Sequence, residues 1–250
     1  MSDIVTIEQR FRGPARSGNG GYTAGSLAER VGTRRAPATV EVTLRRPPPL
    51  DTAMSVVHDD DVARLLAGDD LVAEAREVTD DLHPVEMVGA DAAATAMASY
   101  AGLRSHPFPG CFACGPDRGE GDGLQIFPGP VPGRADTVAS LWVPHASLAV
   151  AGDLVDAGVE RVGIATTWAA LDCVGGWSED LAGRPCVLGR MTARIDALPV
   201  VGEPHVVVGT RLRRDGRKTF TASTLYDADG RVVAAAQHVW IAVDPEVFNG

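Results

Sequence analysis

Asp172 is the residue in this sequence whose setting most invites chemistry. It lies in GIATTWAALDCVGGW (163–177), a run in which it is the sole charged residue. A helix that is apolar on every side is a buried helix. An unpaired carboxylate inside one costs several kcal/mol, or its pKa rises until it holds a proton near neutrality. Such a group can act as a general base on water or attack a carbonyl directly. The plainer reading is a partly exposed Asp bonded locally near the helix end at Gly175-Gly176.

Other residues could complete a site around it. In VVAAAQHVWIAV (232–243) strand alternation groups Gln237 with Val233, Ala235 and Val239, and sets His238 and Trp240 on the opposite face. A neutral amide can hold a water or a carboxylate. The bland alternative is a sheet-face Gln bonded to a neighbouring strand, and His238 reads as structural or exposed. Asn19-Gly20-Gly21 precedes a helix, where bare N–H groups can bind an oxyanion, with Gly21 the foremost donor. Asn19 as an ordinary N-cap is the simpler reading. Thr166, Thr167 and Trp168 open the second helix and can cap it or line a pocket, although core packing suits Trp168 better.

Cys111-x-x-Cys114 with His106 looks like part of a metal site. A structural zinc needs four ligands, and Cys173 in a helix and Cys186 in a strand are no obvious completion. The pair therefore reads as a tight turn, and no metal or cofactor is expected. A nucleophilic cysteine lacks a histidine partner at motif level. Arg12, Arg16, Arg45 and Arg46 can meet phosphates at a cleft mouth, with surface solvation the default for each.

These groups need elements to hold them, and the chain reads as two copies of one plan, a helix followed by strands. In the first half, a strand over Ile4–Phe11 leads through SGNGG (17–21) into a helix over Tyr22–Val31. Strands follow at Ala38–Leu44, within RRPPPLDTAMSVVHD, and in a hairpin turning at Gly68-Asp69-Asp70. The second half opens with strands in GLQIFPGP and DTVASLWVP. Its helix spans Gly163–Trp177, and strands follow at Arg184–Asp196 and in hairpins turning at Arg214-Asp215-Gly216 and Asp229-Gly230. GDDLVAEAREV (68–78) lies over DGRVVAAAQHV (229–239), and PPPLDTAMSVV over DALPVVGEPHVVV, which marks a duplicated unit. The expected division is 1–88, a partly helical linker at 89–109, and 110–250.

Composition sets the outer bounds. The 250 residues are 45% hydrophobic and 22% charged, ordinary for a globular protein. With 33 acidic against 23 basic residues the net charge is −10, which disfavours nucleic-acid binding. No run approaches the roughly 20 apolar residues of a membrane helix. The start, MSDIVTIEQRFRG, lacks an apolar core, so it does not read as a signal peptide and the expected location is the cytoplasm. Four cysteines are too few for a disulfide framework.

Specific motifs add a resemblance. NGGYTAGSLAERV, RRAPATVEVTLRRPPPLDT and LVAEAREV resemble the N-terminal half of the double-hotdog acyl-CoA thioesterase II family. TTWAALD resembles that family's helix ending in a catalytic Asp, and RVVAAAQHVWI its last strand with a catalytic Gln. The resemblance implies an α+β tandem (double) hotdog, two antiparallel sheets each wrapping a central helix, with Asp172 and Gln237 catalytic. The family's third catalytic residue, a Thr or Ser on the intervening strand, falls near Leu188 or Gly189, neither of which has a hydroxyl. Thr192, further along that strand, is the stand-in. CFACGPDRGEGDGLQI (111–126) resembles the opening segment of many single-hotdog thioesterase-like proteins.

The implied activity is hydrolysis of acyl-CoA or another acyl thioester, in a homodimer. A hotdog hydratase or dehydratase would need an Asp–His pair, and the central helix has no His. An acyl-thioester-binding protein without hydrolysis is the third reading, for which the missing strand hydroxyl speaks.

Overall fold

A computed structural model describes residues 3–33, 36–150 and 158–244. The alternating TVEVTL forms β2 (Thr39–Leu44), and after the proline break come β3 (Met54–Asp59), β4 (Val62–Ala67) and β5 (Asp70–Val78). The β4–β5 turn uses Gly68 at φ +60°, a conformation glycine adopts without strain. The expected first strand is cut to β1 (Asp3–Val5), because Asp51 captures the chain beyond it. The Asp51 N–H donates to the Ile7 carbonyl at 2.9 Å, and its carboxylate accepts the Gln9 N–H at 3.1 Å. Helix α1 spans Gly20–Ala28, two residues earlier at its start and three at its end than expected.

Helix α2 (Ala90–Met97) falls in the segment expected to be a linker. The second half contains β6 (Gly129–Pro130), β7 (Thr137–Trp142), α3 (Ile164–Trp177), β8 (Cys186–Ile195), β9 (His205–Asp215), β10 (Lys218–Tyr226) and β11 (Val232–Ala242). Of GLQIFPGP, only Gly129–Pro130 is in a strand. Among the described residues, no helix is long and apolar enough to cross a membrane.

The strands form one antiparallel sheet in the order β1-β3-β4-β5-β2-β8-β11-β10-β9-β7-β6. The expectation is two antiparallel sheets, one in each unit, fused to each other; the structure has one continuous sheet. In it β2 and β8 pair edge to edge, from Thr39 opposite Arg194 to Thr43 opposite Arg190, which removes an exposed edge from each half. The order mirrors across this seam. β5 answers β11, β4 answers β10 and β3 answers β9, the correspondences that the internal repeat implies.

Both α1 and α3 lie against the same face of this sheet and against each other. A single hydrophobic core runs through both halves, with Leu27, Met54, Leu65, Leu171, Met191 and Leu225 fully buried. A smaller core, from Val88 and Ala93 to Val206 and Val208, lies on the opposite sheet face under α2 and the residues preceding it.

Glycines set how closely the two helices approach. A Cβ on Gly25 would fall 2.7 Å from Ala165 Cα and 2.8 Å from Trp168 Cβ, and one on Gly21 would fall 2.8 Å from the Trp168 carbonyl oxygen. Alanine gains about 1 kcal/mol of helix propensity over glycine, whereas forcing a methyl into a packed interface costs about 1–3 kcal/mol and here meets backbone. Gly25→Ala is therefore expected to destabilise the fold by about 1–2 kcal/mol. Gly32→Ala, where nothing lies within 4 Å, serves as the control in urea denaturation. A Gly25→Ala protein as stable as the parent would refute the close-packing account.

Candidate active site

Asp172 lies within α3, 1% exposed, where that helix meets the N-terminus of α1. Asn19 makes the connection. Its Oδ1 caps α1 by accepting the Tyr22 N–H at 2.8 Å, and its Nδ2 donates to Asp172 Oδ2 at 3.1 Å. The Gly21 N–H donates to the same Oδ2 at 2.9 Å. The carboxylate is thus held by donors at a helix start, where the peptide dipoles also favour negative charge. Its other oxygen, Oδ1, is buried with no partner among the described residues.

Burial is the main force on this group and pushes its pKa up to about 7. The Gly21 hydrogen bond opposes the rise, nearby Cys111 adds to it, and the Asn19 bond opposes it. The lone charge in an apolar helix, noticed in the sequence, is therefore a buried carboxyl poised near neutrality.

Asp172 borders a cavity of about 260 Å³ at the seam between the halves. Asn19 and Gly20 border it as well, while Leu44, Leu188, Trp240 and Ile241 supply apolar wall. Arg45 and Arg46, half exposed or more, stand at the rim, paired with Glu74 and with Asp70 (2.9 Å) respectively. Arg12 and Arg16 do not line it.

The remaining expected site residues divide clearly. The Gly21 amide, expected to serve an oxyanion, is already engaged by Asp172. The Gly20 N–H, at the cavity, makes no hydrogen bond among the described residues. Thr166, Thr167 and Trp168 are buried but do not line the cavity. The Thr167 hydroxyl donates to the Gly163 carbonyl at 2.9 Å, and Trp168 packs against Gly25.

Gln237 and Thr192 pair directly across β11 and β8, but on the sheet face turned away from the helices. Their neighbours His238 and Met191 face inward, with His238 against Gly175 of α3. The sheet therefore separates both residues from Asp172, and the structure does not bring the three together. The alternation along β11 is as expected. Its polarity was illegible because Val233 and Ala235 on one face are as apolar as Ala234 and Ala236 on the other.

Leu188 and Gly189, where the family pattern places a hydroxyl, do border the cavity. The groups that sequence reasoning missed there are Ser17, Cys111 and Cys173. Ser17 left no signal beyond its place in a Gly-rich loop. Cys173 directly follows Asp172, but its approach to Cys111 depends on a contact between residues 62 positions apart.

No family model matches the chain, and no curated protein matches it either. Solved structures do. An acyl-CoA thioesterase II, TesB2, from Mycobacterium marinum is 12% identical, with a TM-score of 0.56 over 98% of this chain and 94% of that one. A conserved protein of unknown function with a hot dog fold, from Alicyclobacillus acidocaldarius, is 12% identical, with a TM-score of 0.51 over 97% and 93%. GphF dehydratase 1 is 15% identical, with a TM-score of 0.57 over 97% and 93%. Identities this low establish likeness of fold alone: over nearly its whole length the chain is alike in fold to a protein with a hot dog fold, to an acyl-CoA thioesterase II and to a dehydratase.

Proposed function

We propose that the protein hydrolyses acyl thioesters in the cavity beside Asp172, using units 1–88 and 110–250 fused through the sheet. The observation that carries this reading is the carboxyl itself, fixed through Oδ2 by Gly21 and Asn19, with Oδ1 unpartnered among the described residues, in a side chain that borders an apolar cavity. The acyl chain lies along Leu44, Leu188 and Trp240, and the thioester carbonyl oxygen takes the Gly20 N–H. Asp172 removes a proton from a water molecule as the water oxygen bonds to the carbonyl carbon. The tetrahedral intermediate then breaks its C–S bond, and the departing thiolate takes up the proton. Arg45 and Arg46 receive the phosphates of a CoA-type carrier at the rim.

The test is thiol release from a panel of short, medium and aromatic acyl-CoAs. Turnover supports the proposal; tight binding without turnover would point to the binding-protein reading instead. Dehydration is the weaker alternative, since among the described residues no histidine borders the cavity to partner Asp172. The rim assignment makes its own prediction. Arg46→Ala should raise KM for acyl-CoA by roughly fivefold, about 1 kcal/mol at an exposed site, and leave KM for the phosphate-free acyl-pantetheine unchanged. Equal effects on both substrates would remove Arg46 from phosphate binding.

A further inference from the structure

Three cysteine sulfurs converge beside the cavity. Cys111 and Cys114 come from the CFACG turn, closed by a 2.9 Å hydrogen bond from the Gly115 N–H to the Cys111 carbonyl. Cys173 comes from α3. Its Sγ lies 3.7 Å from that of Cys111, and all three sulfurs lie within 4.8 Å of one another in a fully buried site. A tetrahedral zinc with Zn–S bonds near 2.3 Å separates its sulfurs by about 3.8 Å.

The surroundings suit thiolates. The Trp177 indole N–H donates to Cys114 Sγ at 3.4 Å. His106 Nδ1 accepts the Phe108 N–H at 2.9 Å, which leaves the ring proton on Nε2, 3.3 Å from the same sulfur. Asn19 Nδ2 lies 3.7 Å from Cys111 Sγ and 3.9 Å from Cys173 Sγ. Donors aimed at sulfur spread negative charge and are the usual outer partners of metal-bound thiolates. A disulfide between Cys111 and Cys173 would account for two of the sulfurs and leave Cys114 holding two donors without a charge to receive them.

We propose that Cys111, Cys114 and Cys173 bind one thiophilic metal ion, Zn²⁺ foremost. Binding converts three thiols to thiolates and releases three protons to solvent, leaving the zinc–thiolate unit with a net charge of −1. One tetrahedral position remains for water or another small ligand. His106 serves as a donor to Cys114 and not as the fourth ligand, since its Nε2 carries the proton. Sulfur donors select Zn²⁺ or Cu⁺ over Mg²⁺ and Ca²⁺. The ion ties the CFACG turn to α3 next to Asp172.

The experiment uses the full chain, purified under reductant without chelator, then stripped of metal and titrated with Zn²⁺ and Co²⁺. The expected result is one zinc per chain, three protons released per zinc, and a sulfur-to-cobalt charge-transfer absorption. Cys114→Ser and Cys173→Ser should each weaken zinc binding by at least about tenfold. Cys186→Ser, outside the cluster, should bind as the parent does. Folded parent protein that takes up neither ion at stoichiometric concentration overturns the proposal. So does cobalt uptake without the sulfur band. These parent-protein measurements decide the matter even where a serine variant fails to fold.

Discussion

Asp172→Asn is expected to lower kcat for acyl-thioester hydrolysis by about 10²–10⁴-fold, the usual contribution of a positioned general base, with little change in KM. The geometry makes this a clean substitution. Asn keeps one side-chain oxygen, which can stay where Gly21 and Asn19 donate to it, and places its NH₂ at the buried Oδ1 position, which has no partner among the described residues. The new side chain has no charge to desolvate, so the variant should melt no lower than the parent. Parent and variant are compared by initial rates on the best acyl-CoA and by thermal unfolding. A fall in kcat with retained stability assigns chemistry to Asp172. A stable variant with parental kcat would dismiss Asp172 as the base, and hydrolysis would then need another group on the cavity wall, with Ser17 the first to substitute.

The site divides into parts that were legible in the sequence and parts that were not, and the division follows the range of the interactions. Asp172 stood out because a lone carboxylate in an apolar helix is a local anomaly that needs no partner to be noticed. Asn19 was recognisable as a helix cap for the same reason. The repeat conveyed the strand correspondence, because β5 and β11 share a sequence pattern. It could not convey that the halves join through β2 and β8, since edge pairing is decided by backbone groups that every residue carries. Which face of β11 meets the helices was equally hidden. Strands buried on both faces lose the polar alternation that would reveal their orientation. Hence Gln237 and Thr192 were assigned to the site, while the structure sets them behind the sheet. The sulfur cluster is the converse case. Its CxxC half is visible at short range, but its third sulfur arrives from a helix 59 residues beyond Cys114, a spacing no local pattern encodes.

The inward face of β11 carries the second large effect. His238 is completely enclosed, opposite Gly175 of α3 and Met191 of β8, with its Nδ1 3.2 Å from the Thr221 hydroxyl. Trp240 Nε1–H donates to that same hydroxyl oxygen at 3.2 Å, so the Thr221 proton is free to point at Nδ1 and the ring is held neutral. Burial lowers the His238 pKa to about 4, and contacts with the backbone of Thr221 and Leu171 offset it only in part. Among the described residues, no charged group is a cause of this shift. In the unfolded chain the same ring titrates near its ordinary value of 6.5. Between those values the unfolded state binds the extra proton, so the stability from a neutral His238 is fully present above about pH 6.5. It is lost as pH falls toward 4, by about 3 kcal/mol in all. Asp172, with its raised pKa, acts in the opposite sense over the same range, so a wild-type profile alone would mix the two. His238→Asn isolates the histidine, because Asn offers Thr221 an acceptor near the Nδ1 position and has no proton to gain. Urea denaturation at pH 7 and pH 4.5 should show the parent losing about 2–3 kcal/mol more than this variant. Equal losses would mean that His238 is either already protonated in the folded protein or reached by water.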